Sequence, residues 1–182
     1  YDSFENGDKR QSLILPTYTS KTGAAVNLRS SDIGALPLKY AEDPNNPGQW
    51  AGNDFIHLRY ADVLLCRAEI LNEINGPTQE SVDLINQVRN RAFDDYYNSS
   101  HVKRLSDFAD QTALRDYILK ERGWELWCEG VRREDLLRHG TYLDVARSAG
   151  ANRVSEKNLL FPIPTDALIE NPIIGQNPYY ND

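Results

Sequence analysis

Histidine, cysteine and net basic charge are all scarce in this sequence, and each scarcity restricts what the chain can do. Its 182 residues include three His, two Cys and no Met, and 27 Asp and Glu outnumber 20 Lys and Arg, which gives a net charge of −7. Proteins that bind nucleic acids need a basic surface for the phosphates, so a nucleic-acid partner is excluded. No apolar run approaches the about 20 residues of a membrane-spanning helix.

The scarcity of histidine also bears on metal chemistry. A di-iron helical bundle uses Glu-x-x-His pairs, and none of the three histidines follows a Glu at that spacing. Cys66 and Cys128 lie far apart within helical patterns, so we interpret them as small core residues first and as a disulfide second. The sequence therefore predicts no metal site and no cofactor.

The longest helical pattern spans residues 112–140 and predicts a core helix, within which Gly130 can break the helix and leave residues 132–138 as a separate turn. At 3.6 residues per turn, its apolar face comprises Leu114, Tyr117, Ile118, Trp124 and Cys128. Glu121, Glu125 and Arg132 fall in the middle of that face. Unpaired charges are costly to bury, so we predict a carboxylate–guanidinium cluster inside the packing surface. The candidate counter-charges are Arg115, Arg122, Arg132 and Arg133.

Glu121 and Glu125 also allow a catalytic interpretation, because acids four residues apart lie close together on a helix. They could act as general acid and base, or as metal ligands. A glycosidase pair must flank a sugar in an open cleft, whereas Trp124 and Trp127 crowd this one. A structural ion-pair network is the favoured interpretation.

Residues 1–57 form a loop-rich segment, in which short β-like runs occur at residues 12–15 and 36–40. Trp50 and its neighbour Gln49 lie among polar residues with no apolar period to bury them, and Tyr40 stands at the other end of the same loop. Trp50 either packs onto the next helix or forms a recognition surface. For the second case, Trp50, Tyr40 and Gln49 are the candidate ligand-binding residues.

Residues 58–94 predict two antiparallel amphipathic helices, with a stop at Asn75-Gly76-Pro77 and Thr78 capping the second helix. The predicted apolar face of the first helix comprises Tyr60, Val63, Leu64, Leu71 and Ile74. Such a pair is one tetratricopeptide-like unit and cannot bury both of its faces alone. Its neighbour is either the later helix or residues outside this chain.

Residues 141–182 predict a short helix near residues 142–148 followed by an irregular packing tail, since the prolines beyond it forbid long regular structure. Leu159, Leu160, Phe161 and Ile163 require burial in this tail, and we expect it to pack across the helices.

Several motifs in order resemble the SusD/RagB family of outer-membrane nutrient-binding lipoproteins of Bacteroidota. They are Arg59-Tyr60-Ala61-Asp62-Val63-Leu64-Leu65 with Ala68-Glu69, Ile85-Asn86 with Val88-Arg89-Asn90-Arg91-Ala92, Glu121-Arg122 with Glu125-Leu126, Glu129-Gly130, Arg132, Asp135-Leu136, Pro162-Ile163-Pro164, Asn171-Pro172 and Gln176-Asn177-Pro178. Asp8-Lys9-Arg10 matches less securely. One departure is Tyr179, where the family usually has Gly after Gln-Asn-Pro.

The resemblance implies a mostly α fold, an α-α superhelix of tetratricopeptide-like helical pairs with long irregular loops. Members of the family are about three times this length, so we expect residues 1–182 to form a single C-terminal portion. The implied function is non-catalytic, surface-exposed binding of glycans at the outer membrane. Delivery would be to a SusC-like TonB-dependent transporter, and the lipid anchor would lie outside this chain. The alternatives are peptide uptake within the same family and a glycoside-processing enzyme that uses Glu121 and Glu125.

Overall fold

A computed structural model describes residues 1–29, 34–45, 51–171 and 173–180. These residues fall into two compact units, residues 1–130 and 131–182. Each unit is described by itself.

The first unit begins with a loop-rich segment that contains only short regular elements. A 3₁₀ helix at Lys9–Leu13 precedes the strands β1 (Ile14–Leu15), β2 (Thr17–Thr19), β3 (Ala25–Asn27) and β4 (Leu36–Pro37). β1 pairs antiparallel with β4, and β2 pairs antiparallel with β3. The two β-like runs of the sequence therefore contain the two strands that pair with each other.

Three helices follow: α1 (Tyr60–Asn75), α2 (Gln79–Asn90) and α3 (Gln111–Glu125). Thr78 caps α2, because its hydroxyl accepts a hydrogen bond from the Ser81 N–H at 3.2 Å. The cap of α3 is Asp110, whose carboxylate accepts a hydrogen bond from the Ala113 N–H at 2.8 Å.

The three helices share one apolar core, to which each contributes two or three side chains. It comprises Leu64, Leu65 and Ala68 of α1, Leu84, Ile85 and Val88 of α2, and Leu114 and Ile118 of α3. The predicted apolar face of α1 is wrong at three positions, because Tyr60, Val63 and Ile74 are 71%, 56% and 74% exposed. α1 carries apolar residues on two faces, and α2 and α3 cover the face around Ala68, where a small side chain permits close approach.

The core helix does not extend to residue 140, and the interruption near Gly130 is present. α3 ends at Glu125, and a separate helix α4 begins at Arg132 (Arg132–Arg138). Between them, Cys128 and Gly130 have φ values of 60° and 83°, in the left-handed region that a right-handed helix cannot contain. Cys128 is exposed and therefore is not a core residue as predicted.

The second unit contains α4, α5 (Tyr142–Ser148), a 3₁₀ helix at Glu156–Leu159 and α6 (Thr165–Glu170). The tail is therefore less irregular than its prolines suggested. Leu160 and Phe161 are 51% and 68% exposed, which contradicts their expected burial. The Arg133 guanidinium lies 4.2 Å from the centroid of the Phe161 ring, a cation–π contact that leaves the ring accessible.

The closing motif Gln176-Asn177 is held by amide hydrogen bonds within this unit. The Gln176 side chain accepts from the Ile163 N–H at 2.8 Å and donates to the Ile163 carbonyl at 2.9 Å. The Asn177 amide donates to the Phe161 carbonyl at 2.6 Å. This pairing joins the motif to Pro162-Ile163-Pro164, so the two tail motifs form one local structure.

Together these elements confirm the mostly α, tetratricopeptide-like fold. Among the residues described, no helix has both the length and the apolar character needed to cross a membrane.

Candidate functional site

A network of buried ion pairs lies along α3 in the first unit, and Glu121 is at its centre. This side chain is 0% exposed, and its two oxygens accept from Arg10 Nη1 at 2.7 Å and Arg89 Nη1 at 2.8 Å. Arg10 also binds Asp8, and Arg89 also binds Glu5. Each buried charge therefore has a partner of opposite sign, as burial requires.

Glu125, one turn later, is contacted by three guanidiniums. Arg10 Nη1 donates to it at 3.0 Å, and Arg59 and Arg91 both donate to its other oxygen. Burial raises the pKa of Glu125, but the Arg59 hydrogen bond and the charges of Arg59, Arg91 and Arg10 outweigh it, so the pKa lies below its usual range. Glu125 is therefore held as a carboxylate.

Cations also bind the carboxyl end of α3, where the last carbonyls lack helical partners. Lys39 Nζ donates to the Glu125 carbonyl at 2.6 Å and the Trp127 carbonyl at 2.9 Å, and Arg59 Nη2 donates to the Glu125 carbonyl at 2.5 Å. Both cations also pair with Glu129. Positive charge at this end interacts favourably with the negative end of the helix dipole, and the N–H groups of the cations satisfy the free carbonyls of the last turn.

A cavity of about 230 Å³ opens beside this network. Its lining combines four cations, two carboxylates, two aromatic rings and two aliphatic side chains: Arg10, Lys39, Arg59, Arg91, Glu125, Glu129, Tyr40, Trp127, Leu13 and Ile56. The Tyr40 ring stacks on Phe55 with centroids 6.2 Å apart, and its buried hydroxyl has no hydrogen-bond partner among the described residues. The cavity lining therefore combines apolar and polar side chains.

Of the three candidate ligand-binding residues, the structure places Tyr40 in this cavity. Trp50 and Gln49 lie outside the described residues, so their position relative to Tyr40 stays a prediction. Trp127 and Arg91 also line the cavity, although the sequence analysis did not select them.

The buried network was predicted, but most of its cations were not. Arg115 pairs with Glu73 and Arg122 with Asp62, and Arg132 is on α4 and not on α3. The guanidiniums on the two carboxylates instead come from Arg10, Arg59, Arg89 and Arg91. Arg89 could have been found, because it interrupts the apolar stripe of α2, whereas Arg10 lies in a segment without periodicity.

The geometry opposes acid–base catalysis by Glu121 and Glu125. Both are buried, at 0% and 2% exposed, and guanidiniums already occupy their oxygens. A general acid needs a raised pKa and contact with substrate, and Glu125 has a lowered pKa. Within the described ranges, no group of three or more His, Cys, Asp or Glu side chains is arranged to hold a metal ion.

Comparison with known proteins places this arrangement in context. The sequence model of the SusD family matches residues 9–180. The chain belongs to the SusD family. The SusD-like protein P2 of Formosa agariphila is 31% identical over 196 residues, covering 99% of this chain and 39% of that protein. The SusD-like protein P38 of the same organism is 35% identical over 127 residues, covering 70% of this chain and 25% of that protein.

Solved structures of SusD-type proteins share the fold. A SusD homologue from Bacteroides thetaiotaomicron aligns with a TM-score of 0.72 at 27% identity, covering 96% of this chain and 41% of that chain. NanU from B. fragilis aligns with a TM-score of 0.69 at 26% identity, covering 99% of this chain and 38% of that chain. The chain thus spans between a quarter and about two fifths of the length of these SusD relatives.

Proposed function

We propose that this chain is a portion of a non-catalytic, surface-exposed protein of the outer membrane that binds glycans. The bound glycan is delivered to a SusC-like TonB-dependent transporter, and a lipid anchor outside this chain attaches the protein to the membrane. Membership of the SusD family supports the proposal. The single structural observation that carries it is the cavity lined by Tyr40 and Trp127 beside ordered guanidiniums.

Sugar recognition requires aromatic or aliphatic surface for the apolar face of the ring and polar groups for its hydroxyls. Tyr40, Trp127 and Ile56 supply the first, and Arg91 with the Tyr40 hydroxyl supplies the second. The volume of about 230 Å³ is below the roughly 300–1,000 Å³ typical of ligand pockets. The cavity therefore takes one sugar residue or its substituent, while the rest of the glycan lies outside. Trp50 and Gln49 extend the site in this proposal.

Isothermal titration calorimetry across an oligosaccharide panel tests the proposal. We expect weak, calcium-independent binding that Tyr40→Ala and Trp50→Ala each reduce severalfold, because a sugar–ring stack should be worth about 1 kcal/mol. Tyr97→Ala removes a tyrosine that is 63% exposed and does not line the cavity, so it is the matched control.

The same incubations test the alternatives. Reducing ends released by the parent and lost in a Glu121→Gln variant that thermal melting shows to be folded would establish a glycoside-processing enzyme and contradict the proposal. Peptide binding without any saccharide binding would favour the peptide-uptake alternative of the same family.

A further inference from the structure

The hydrogen-bond inventory of the cavity points to a more specific ligand. Three of its cations have every nitrogen bound to the protein. Arg10 bonds Asp8, Glu121 and Glu125 through all three of its guanidinium nitrogens. Arg59 does the same with Glu125 and Glu129. The Lys39 ammonium is shared among two carbonyls and Glu129. Arg10 and Arg59 each use four of their five N–H groups in these contacts, so they keep little donor capacity for a ligand.

Arg91 is different from the other cations. Its side chain is 65% exposed, and only its Nη2 is bound, to Glu125. In the part of the chain that the structure describes, its Nε and Nη1 make no hydrogen bond. Tyr40 lines the same cavity, and its buried hydroxyl has no hydrogen-bond partner among the described residues. Two side chains with unused hydrogen-bonding capacity therefore line one cavity.

The charge of the lining favours an anion. Four cations and two carboxylates face the cavity, and both carboxylates are already engaged, Glu125 by three guanidiniums and Glu129 by Arg59 and Lys39. Behind the lining, Asp8 and Glu121 are paired with Arg10. The unused donors therefore meet a surface on which no carboxylate lacks a counter-charge.

We propose that Arg91 and Tyr40 bind the carboxylate of a uronic-acid residue, so that the glycan captured here is acidic. This inference rests on the proposed glycan-binding function. An unused N–H of the Arg91 guanidinium donates a charge-assisted hydrogen bond to a carboxylate oxygen, which is stronger than the bond it would donate to a neutral hydroxyl. The sugar ring then lies against Tyr40 and Trp127, and the Tyr40 hydroxyl donates to the ligand.

A second cavity offers room for the glycan to continue. It has a volume of about 340 Å³ and shares Arg10, Leu13 and Arg91 with the first cavity, and it adds Lys9 and Ser12 to the lining. Arg91 thus lies where the two cavities meet. A chain of uronic-acid residues would place one carboxylate at Arg91 and the next near Lys9, whose half-exposed ammonium pairs with Asp94 at 2.9 Å and keeps further N–H groups for a ligand.

The test compares tetragalacturonate with its methyl ester, which has the same backbone without the charge, by calorimetry on the intact chain. We expect the ester to bind at least about tenfold more weakly, because charge-assisted hydrogen bonds are lost. Arg91→Gln should abolish the preference, and Tyr40→Phe should reduce affinity for the acid severalfold. Arg67→Gln is the matched control: it removes a guanidinium that is 61% exposed and paired with Glu80, outside the lining of either cavity.

The outcomes separate this inference from the proposed function. Equal affinity for acid and ester, unchanged by Arg91→Gln, would overturn the acidic-glycan inference and leave glycan binding intact. If neither the acid, nor the ester, nor any neutral oligosaccharide of the panel bound, both proposals would be overturned. If an acidic peptide bound, lost affinity in Arg91→Gln, and tetragalacturonate did not bind, the uronic-acid inference would be overturned in favour of a peptide ligand. Thermal melting of each variant verifies that the fold is retained.

Discussion

At the scale of single residues, the chain buries charge on α3 where most helices bury only apolar side chains. Glu121 lies between Arg10 and Arg89, and Arg89 is itself 0% exposed. Removing charge from water is costly, so such a pair adds little stability relative to an apolar pair. Removing one partner of the pair is strongly destabilising, because the charge of the remaining partner stays buried without a counter-charge.

Glu121→Gln should therefore destabilise the protein by about 3–5 kcal/mol, as expected when one member of a buried pair is removed. Glu80→Gln breaks an exposed pair with Arg67 and should cost less than about 1 kcal/mol. Urea unfolding of both variants measures the difference. Equal unfolding free energies would show that the Glu121 pairs contribute no more than a surface pair.

Glu5 makes stability depend on pH. Partial burial raises its pKa, but the Arg89 charge and hydrogen bond, with His101 and Lys103, lower it from 4.5 to about 2. A carboxyl group with a depressed folded pKa stabilises the protein above its unfolded pKa, and this contribution is lost as the pH falls towards the folded value. Unfolding free energy should therefore decline between pH 5 and pH 2, and less steeply in Glu5→Gln. If the unfolding free energies of the two proteins declined equally steeply with pH, the pH dependence could not be assigned to Glu5.

Tyr179 occupies a backbone conformation that favours glycine, with φ at 71°. Its hydroxyl donates to Glu156 at 2.8 Å, but the residue is 56% exposed, so this contact is weak. Tyr179→Gly should raise stability by about 1 kcal/mol, because the left-handed conformation costs a residue with a Cβ about 1–2 kcal/mol. Tyr179→Ala keeps the Cβ and is the control, with no gain expected. A melting temperature for Tyr179→Gly at or below that of Tyr179→Ala would show that the left-handed backbone at residue 179 does not destabilise the protein.

At the scale of elements, α1 has two apolar faces and packs only one of them within the described residues. Leu64, Leu65 and Ala68 lie in the core, whereas Ile70 and Ile74 are 57% and 74% exposed. Exposed apolar stripes of this kind mark surfaces that bind another protein segment or cause aggregation.

Ile70→Lys combined with Ile74→Lys should therefore reduce self-association and binding of a hydrophobic dye, and change the unfolding free energy by no more than about 0.5 kcal/mol per site. Leu65→Ala, in the core, should cost about 2–5 kcal/mol instead. Analytical ultracentrifugation and dye fluorescence provide the measurements. Dye binding unchanged in the double variant would mean that the stripe is not the accessible apolar surface.

The same helix shows how far the sequence alone could go. α2 has one apolar face, and the residues that a period of 3.6 places on it, Val82, Ile85 and Val88, are all buried. On α1 the period fits two faces equally well, and the packing against α2 and α3 decides between them. The end of α3 depends on left-handed residues and on cations from distant segments, and a local pattern does not report either. The same limit applies to the site, where Tyr40 was found from composition and Arg91 was missed.

At the scale of the first unit as a whole, one set of ion pairs joins segments far apart in the chain. Arg10 and Lys39 come from the loop-rich segment and Arg59 from the residue before α1, while Arg91 follows α2. All four converge on carboxylates or carbonyls at the end of α3. The network therefore fixes the loop segment against the helices and creates the cavity that we propose as the binding site.

The three tryptophans of the chain give the most direct test of that proposal. Trp127 lines the cavity, whereas Trp124 is 2% exposed and its indole N–H donates to Ser3 at 3.1 Å. In a ¹H–¹⁵N correlation spectrum, titration with the saccharide that binds best by calorimetry should shift the indole signal of Trp127 and leave that of Trp124 in place. A saccharide that binds without moving the Trp127 signal would contradict the account, because the ligand would then occupy another surface.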